Sequence, residues 1–428
     1  MYISLSDRSG GKKEKPEGMQ TALPHEVPFR LSPIIIWLGI VSMVTDVSSE
    51  SVTAILPLYV TGFLGLSTIA FGFIDGINQG ASAIVRIAAG WAADRSGHPK
   101  RIALAGYGLS MLARIGFLFA GGFWAIAAIV TGDRIGKGIR TAPRDALITV
   151  SAQPEHLARS FGIHRMLDNI GAAAGPLIAF LVLLVIPNGF STVFVVSLAF
   201  AVIGVTVLGL VVPDLRAGGL DKALPKEQRR IFAFSWKHLK EPGLGRLLIA
   251  AGLLGLVTIG DGFIYLVLQD RDSFAVQWFP LLFVGTNVAF LALAVPLGRL
   301  ADRFGKVPVF IAGHLALLAC YLLAAAPLGG LWATILCLVL LGAFYAATDG
   351  VLAALAAQLT PQGKLATGIA SAQTVVALTR MTASAGFGVL WYAVGASTAV
   401  LLAGILLACA VVAVMFILPG ARPRVGRA

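Results

Sequence analysis

The sequence predicts an all-α polytopic membrane protein whose twelve spanning helices form two six-helix, pseudo-symmetric halves. Three observations carry that expectation: the composition, the spacing of the apolar runs, and a charged turn that occurs twice. Of the 428 residues, 57% are hydrophobic and only 13% are Asp, Glu, Lys or Arg. A soluble domain carries about 25% charged residues, so an ordinary water-facing surface is excluded. Runs of about 20 apolar residues cross a bilayer core of roughly 30 Å. Here they follow one another at 33–60, 67–93, 101–120, 123–151, 161–187, 190–212, 244–269, 276–299, 307–326, 329–358, 366–392 and 396–418. Gly and Pro mark the joints, as in Pro187-Asn188-Gly189, Pro327, Gly329-Gly330 and Pro361. One long polar, basic break divides the chain into a tail (1–31), a first bundle (32–212), a linker (213–243), a second bundle (244–418) and a C-terminal tail (419–428).

The net charge of +12, from 33 basic and 21 acidic residues, would suggest nucleic acid in a soluble protein. Here it reads as topology. The N-terminal tail, the 94–101 and 302–306 loops, the linker and Arg422, Arg424 and Arg427 all fall on one side, whereas the opposite loops hold only Arg271. The positive-inside bias therefore places both termini in the cytoplasm. Linker residues Arg229, Arg230, Lys237, Lys240 and Arg246 are expected to meet anionic headgroups. Tyr59, Trp91, Trp124, Tyr265, Trp278, Trp332, Trp391 and Tyr392 lie mostly near helix ends and read as interfacial anchors. Cys320, Cys337 and Cys409 sit in apolar runs without metal-ligand or redox spacing and read as small core residues. No Walker loop, HExxH, CxxC or Gly-x-Ser-x-Gly occurs, so neither an enzyme nor a metal or cofactor is implied.

The repeat is Gly90-Trp91-Ala92-Ala93-Asp94-Arg95-Ser96-Gly97, running on to Arg101, and Gly298-Arg299-Leu300-Ala301-Asp302-Arg303-Phe304-Gly305. Each copy follows the second span of its half, the signature of a parallel repeat. With this turn the chain resembles the major facilitator superfamily of secondary transporters over 32–418. The resemblance implies a cytoplasmic latch of Gly90, Asp94, Arg95, Gly97, Arg101, Gly298, Asp302, Arg303 and Gly305, completed by Arg144 and Asp145 at the end of the fourth span. In similar transporters the loop's basic residues pair with an acid at the place of Asp145.

Two further patterns are similar to family motifs. Arg134-Ile135-Gly136-Lys137-Gly138-Ile139-Arg140 matches a fourth-helix motif whose intramembrane Arg is tied to proton coupling. Gly162, Gly171 and Gly175-Pro176 match a fifth-helix motif associated with antiporters and exporters, with Ala179 in place of its last glycine. Tight helix packing by small residues is the alternative reading of those glycines. The string Asp133 to Asp145, followed by Phe161-Gly162-Ile163-His164-Arg165 and Asp168, looks like a bacterial branch of the superfamily with relatives implicated in iron or magnetosome-associated transport. A bacterial inner-membrane location follows from that resemblance.

Charges inside a span cost at least about 2.5–3.5 kcal/mol at the helix centre, so they face the interior and usually pair. Asp46 and Glu50 share one face of the first span, and Asp133, Lys137, Arg140 and Arg144 share a stripe of the fourth. Asp75, Arg86, Arg114 and Asp168 join them in the first half; the second half offers Asp261, Asp349 and Arg380. Proton coupling is expected from Asp46, Glu50, Arg134 and Asp168, with Arg134 near the titrating carboxylate. Permanent structural pairing of the same groups is the competing reading. Substrate contacts are expected from Asp75, Asp133, Lys137, Arg140, Asp261, Asp349 and Arg380, and His164 reads as an interfacial histidine before a proton relay. The expected function is secondary transport of a small solute by alternating access, proton-coupled and directed to export. The competing functions are transport of an anionic or iron-linked solute and, more remotely, a membrane sensor or a membrane-embedded transferase. The implied partners are a small-molecule substrate, protons and the lipid bilayer, not nucleic acid; the protein is expected to be a monomer.

Overall fold

The computed structural model describes residues 31–96, 98–153, 156–214, 242–360 and 365–418. The N-terminal tail, the linker residues Arg229, Arg230, Lys237 and Lys240, Pro361, Gly97 and the C-terminal arginines lie outside the described residues. So do the side chains of Arg86, Trp91, Asp94 and Arg95.

The described chain is helical throughout. In order come α1 (Pro33–Leu58, continued by a π-helical turn, Tyr59–Phe63), α2 (Thr68–Ser96), α3 (Pro99–Phe117), α4 (Phe123–Ser151), α5 (Leu157–Val185) and α6 (Phe190–Leu210). The second half holds α7 (Pro242–Leu256), α8 (Asp261–Asp272), α9 (Pro280–Phe304), α10 (Lys306–Ala325), α11 (Leu331–Leu359), α12 (Leu365–Val394) and α13 (Ala396–Ile417). Prolines at the first turns of α1, α3 and α9 start helices where no intrahelical N–H is needed. Gly305, Gly330 and Gly395 have φ of +100°, +110° and +82° at the joints before α10, α11 and α13, where a side chain would be strained.

Among the described residues, eight spans are long and apolar enough to cross a membrane by length and composition alone. Those formed by α2, α3, α4 and α12 fall short, and the first three carry Asp75, Arg114 and the charged stripe. The seventh span, expected as one helix over 244–269, is α7 and α8 with a break between them. Thr258 turns its hydroxyl onto the Leu254 carbonyl (2.8 Å), and the Ile259 N–H donates to the Tyr321 hydroxyl (2.9 Å). Those bonds satisfy backbone groups that lipid would leave unpaired.

In the first half α1 packs on α5 and α6, α3 on α4 and α6, and α2 on α4; in the second α11 packs on α9 and α10, α10 also on α13, and α12 on α7. A Cβ at Gly175 would stand 2.8 Å from the Ser51 nitrogen, and one at Gly171 would strike the Met43 carbonyl, so both glycines let α5 press onto α1. Gly162 faces open space. The halves meet along α2–α12, α5–α9 and α1–α8. Pro33 marks the near face, and the α1–α2 turn marks the far face. Thr68 donates to the Gly388 carbonyl (3.2 Å), the Phe71 and Phe263 rings meet at 4.7 Å, and Phe180 lies 5.4 Å from Trp278. These contacts close the far end.

The lone far-side basic residue is neutralised. Arg271 pairs with Asp272 at 2.9 Å and donates to the Leu323 carbonyl at 3.0 Å. Asp272 accepts from the Gly330 N–H (2.9 Å) and the Thr334 hydroxyl (2.5 Å), tying α8 to the start of α11. Asp272→Ala should cost about 2 kcal/mol, a charged hydrogen-bonding hub being lost; a melting temperature in detergent equal to the parent's would contradict it. Trp124, Trp332 and Tyr392 are exposed at helix ends as anchors should be, but Tyr59 and Tyr265 are buried. Their hydroxyls are held inside, Tyr59 on the Ala120 carbonyl (3.1 Å) and Tyr265 on Thr286 (2.7 Å). Cys320 and Cys337 are buried where α10 meets α11, whereas Cys409 is exposed on α13 rather than in the core.

Candidate functional site

Two polar constellations lie inside the apolar bundle. The first is a ladder between the antiparallel helices α1 and α4. Arg144 donates to Ser42 (3.2 Å), Arg140 to Asp46 (3.4 Å), and Lys137 lies 3.6 Å from Glu50. Each step up α1 matches a step back along α4, so Lys137, Arg140 and Arg144 of the stripe read from the sequence face α1 in register, whereas its fourth member, Asp133, is held by Arg114 of α3. Arg144 also reaches Asp145 (3.0 Å) and Asp168 of α5 (3.6 Å), and Asp168 lies against Asp46. The Arg140 guanidinium stacks 4.5 Å from the centre of the Tyr107 ring, a contact worth more where water is excluded.

Arg134 is not the partner of Asp46. It sits two turns too far along α4, and it bonds Asp133 at 2.9 Å instead. Asp133 also takes Arg114 of α3 at 2.8 Å, and Arg114 reaches Ser49 at 3.2 Å. This buried triad joins α3, α4 and α1. His164 is buried as well, its Nε2 3.5 Å from Ser42, and is not interfacial.

The second constellation is a cavity of about 360 Å³ between the halves. From the first half it is walled by Glu50 and Thr53 of α1 and by Phe71, Asp75, Asn78 and Gln79 of α2. From the second come Asp261 and Tyr265 of α8, Phe283, Thr286, Asn287 and Phe290 of α9, Tyr345 and Asp349 of α11, and Arg380 of α12. Asp75 accepts from Ser384 of α12 across the seam (2.6 Å), and Asp261 accepts from Tyr345 (2.8 Å). Arg380 lies over the Phe344 and Tyr345 rings, both 5.5 Å from it. Asp349 is exposed, so the cavity reaches solvent toward the near face while the α2–α12 seam closes it from the far face.

Of the expected substrate contacts, Asp75, Asp261, Asp349 and Arg380 line this cavity. Asp133, Lys137 and Arg140 do not; each is turned toward an ion-pair partner. Glu50 belongs to both constellations. Of the expected latch, Gly97 and the side chains of Asp94 and Arg95 lie outside the described residues, but the partner of Arg101 is seen. Arg101 pairs with Asp214 beyond α6 at 3.5 Å, not with Asp145, and Lys100 donates to the Gly209 carbonyl at 2.9 Å. Asp145 takes its own neighbour Arg144. In the second copy Arg303 lies over the Phe304 ring (5.3 Å), and Gly305 makes the turn. The wall residues Asn78, Gln79, Asn287 and Tyr345, and Ser384 behind Asp75, were not anticipated; the amides carried a signal, being uncharged polar groups inside apolar runs.

The sequence profile of the Major Facilitator Superfamily matches residues 38–285 and 263–428. The chain belongs to that superfamily. It is 28% identical over 373 residues to the uncharacterised MFS-type transporter MJ1317 of Methanocaldococcus jannaschii, across 84% of this chain and 89% of the relative. Its fold is similar to that of the nucleoside transporter NupG, with a TM-score of 0.76 at 14% identity over 90% of this chain and 99% of NupG. A POT family transporter in complex with 5-aminolevulinic acid follows, with a TM-score of 0.74 at 12% identity over 91% and 96%. Those structures establish the fold. Together with the family they make the protein a multi-pass membrane transporter of the major facilitator type, and the central cavity between its halves is the candidate transport site.

Proposed function

We propose that this transporter moves a small solute through the central cavity by alternating access, coupled to protons and in the direction of export. Glu50 carries the coupling reading. It is at once a wall of the cavity and the partner of Lys137, at the head of the ladder that continues through Asp46–Arg140 to Asp168–Arg144. A proton on Glu50 releases Lys137, and a solute in the cavity meets a wall whose charge depends on that proton, so the two loads oppose each other. Export is the direction favoured by the fifth-helix glycine pattern, and the near face is assigned to the cytoplasm by the basic residues of the tails and turns. An anionic cargo has less support, because Lys137 and Arg140 are engaged by carboxylates and stand off the cavity wall.

The test uses proteoliposomes containing a trapped pH dye. Solute flux should move protons the opposite way and should stop in Glu50→Gln when only a pH gradient drives it, while solute-for-solute exchange survives. Flux indifferent to an imposed pH gradient rejects the coupling. Glu50 is the informative position because its side chain is 25% exposed and that of Lys137 32%, so the freed lysine can be solvated. Removing Asp46 would strand Arg140, whose side chain is 4% exposed.

A further inference from the structure

The cavity wall is unbalanced in charge. Glu50 is matched by Lys137 from behind. That leaves Asp75, Asp261 and Asp349 on the wall against the single cation Arg380. Asp75 and Asp261 each take one hydroxyl, from Ser384 and Tyr345, and neither has a Lys or Arg nitrogen within ion-pair distance among the described residues. Carboxylates in a narrow cleft with low-dielectric walls focus the field and concentrate cations there. The rings of Phe71, Tyr265, Phe283 and Phe290 stand beside them, and aromatic faces attract ammonium groups.

A second observation gives the ligand another end. The Arg380 Nε is buried on this wall without a hydrogen-bond partner among the described residues. A buried donor of that kind is costly unless something accepts from it. Arg380 is one helical turn below Ser384 on α12, so the unfilled donor lies on the near side of the Asp75–Ser384 contact.

We propose that the cavity takes a small amine-bearing solute with a net positive charge, its ammonium held by Asp75 and Asp261 among the aromatic rings and a carbonyl or other acceptor of the same molecule held by Arg380. This rests on the reading of the cavity as the transport path and names its substrate class. A cavity of about 360 Å³ is at the small end of ligand pockets, so the solute is of amino-acid-derivative size rather than a large conjugate.

Four matched probes test it on the purified full-length protein, by ligand-induced thermal stabilisation. Phenylalaninamide carries ring, ammonium and carbonyl; phenethylamine lacks the carbonyl; 3-phenylpropionamide lacks the ammonium; N-acetylphenylalanine is an anion. Phenylalaninamide should bind most tightly, with half-saturation at least about tenfold below that of 3-phenylpropionamide, the scale of one charge-assisted contact. Phenethylamine should fall between them, and N-acetylphenylalanine should not bind. In Asp261→Asn the advantage of the ammonium should shrink; in Arg380→Met the gap between phenylalaninamide and phenethylamine should close. Equal responses of the parent protein to the four probes, or its preference for the anion, overturn the proposal whether or not the variants fold. Uptake of labelled phenylalaninamide into proteoliposomes separates the two readings. Binding that follows the charge rule without uptake removes the cavity as transport path, whereas uptake of the anion with no ammonium preference removes the substrate class alone.

Discussion

Asp133→Ala should destabilise the purified protein by about 3–5 kcal/mol, the scale observed when one partner of a buried ion pair is deleted. The carboxylate is shared by two guanidiniums, Arg114 at 2.8 Å and Arg134 at 2.9 Å, and the side chains of Asp133 and Arg114 are 4% and 3% exposed. Without Asp133, Arg114 keeps among the described residues only the Ser49 hydroxyl at 3.2 Å as a hydrogen-bond partner, and two like charges face each other in an apolar bundle. Arg114→Met should be milder, since Asp133 then retains Arg134. The measurement is the melting temperature in detergent together with the monodisperse yield. A melting temperature within a degree or two of the parent's, combined with lost transport, would move Asp133 out of the structural role assigned to it and back among the coupling groups.

The triad also marks where the sequence could and could not be read. Spans were legible because apolar runs of bilayer length have few alternatives, and the charged turn located the half-repeat. The stripe on α4 was legible from its spacing in part: Lys137, Arg140 and Arg144 face α1, but Asp133 turns to Arg114 of α3. Partnership was not. Which cation meets Asp46 depends on the antiparallel register of α1 and α4: about 1.5 Å of rise per residue puts Arg134 roughly 9 Å along α4 from Arg140, beyond the reach of Asp46. Register is a property of two helices packed together, and no single segment encodes it. The break between α7 and α8 shows the same limit. Thr258 and Gly260 permit it, but the Tyr321 hydroxyl that receives the freed N–H comes from α10, far along the chain. Likewise the cavity is built from residues scattered over six helices, most of them unremarkable in their own runs. The acids and Arg380 stood out from the sequence because lipid makes charge expensive, and the amides more weakly; Tyr345 and Ser384, which hold those acids, did not.

Gly76→Leu should all but abolish transport while leaving the protein folded. Along α2, Gly72, Gly76 and Gly80 recur every four residues on the face that meets α12. A Cβ at Gly76 would stand 2.6 Å from the Met381 carbonyl oxygen, and one at Gly72 would stand 2.6 Å from that of Ser384. Backbone atoms, unlike a flexible side-chain tip, cannot move aside unless the helices part. Overpacking of this kind costs about 3 kcal/mol at its upper range, which changes the ratio of two conformers by roughly a hundredfold. The cost falls on the conformer described here, with its far end closed; a conformer in which α2 and α12 separate carries the leucine freely. The variant should therefore rest open to the far side. The readout is an impermeant maleimide applied from that side to Asn287→Cys, a cavity-wall position, in a Cys409→Ser background. Labelling should quicken on the order of tenfold with Gly76→Leu. Gly162→Ala, where a Cβ meets nothing within 4 Å, is the control and should change neither labelling nor flux. Unchanged labelling with intact flux in Gly76→Leu would mean that the seam is a passive contact; quickened labelling with lost flux makes it the far-side gate, which the Asp75–Ser384 bond joins directly to the carboxylates of the cavity.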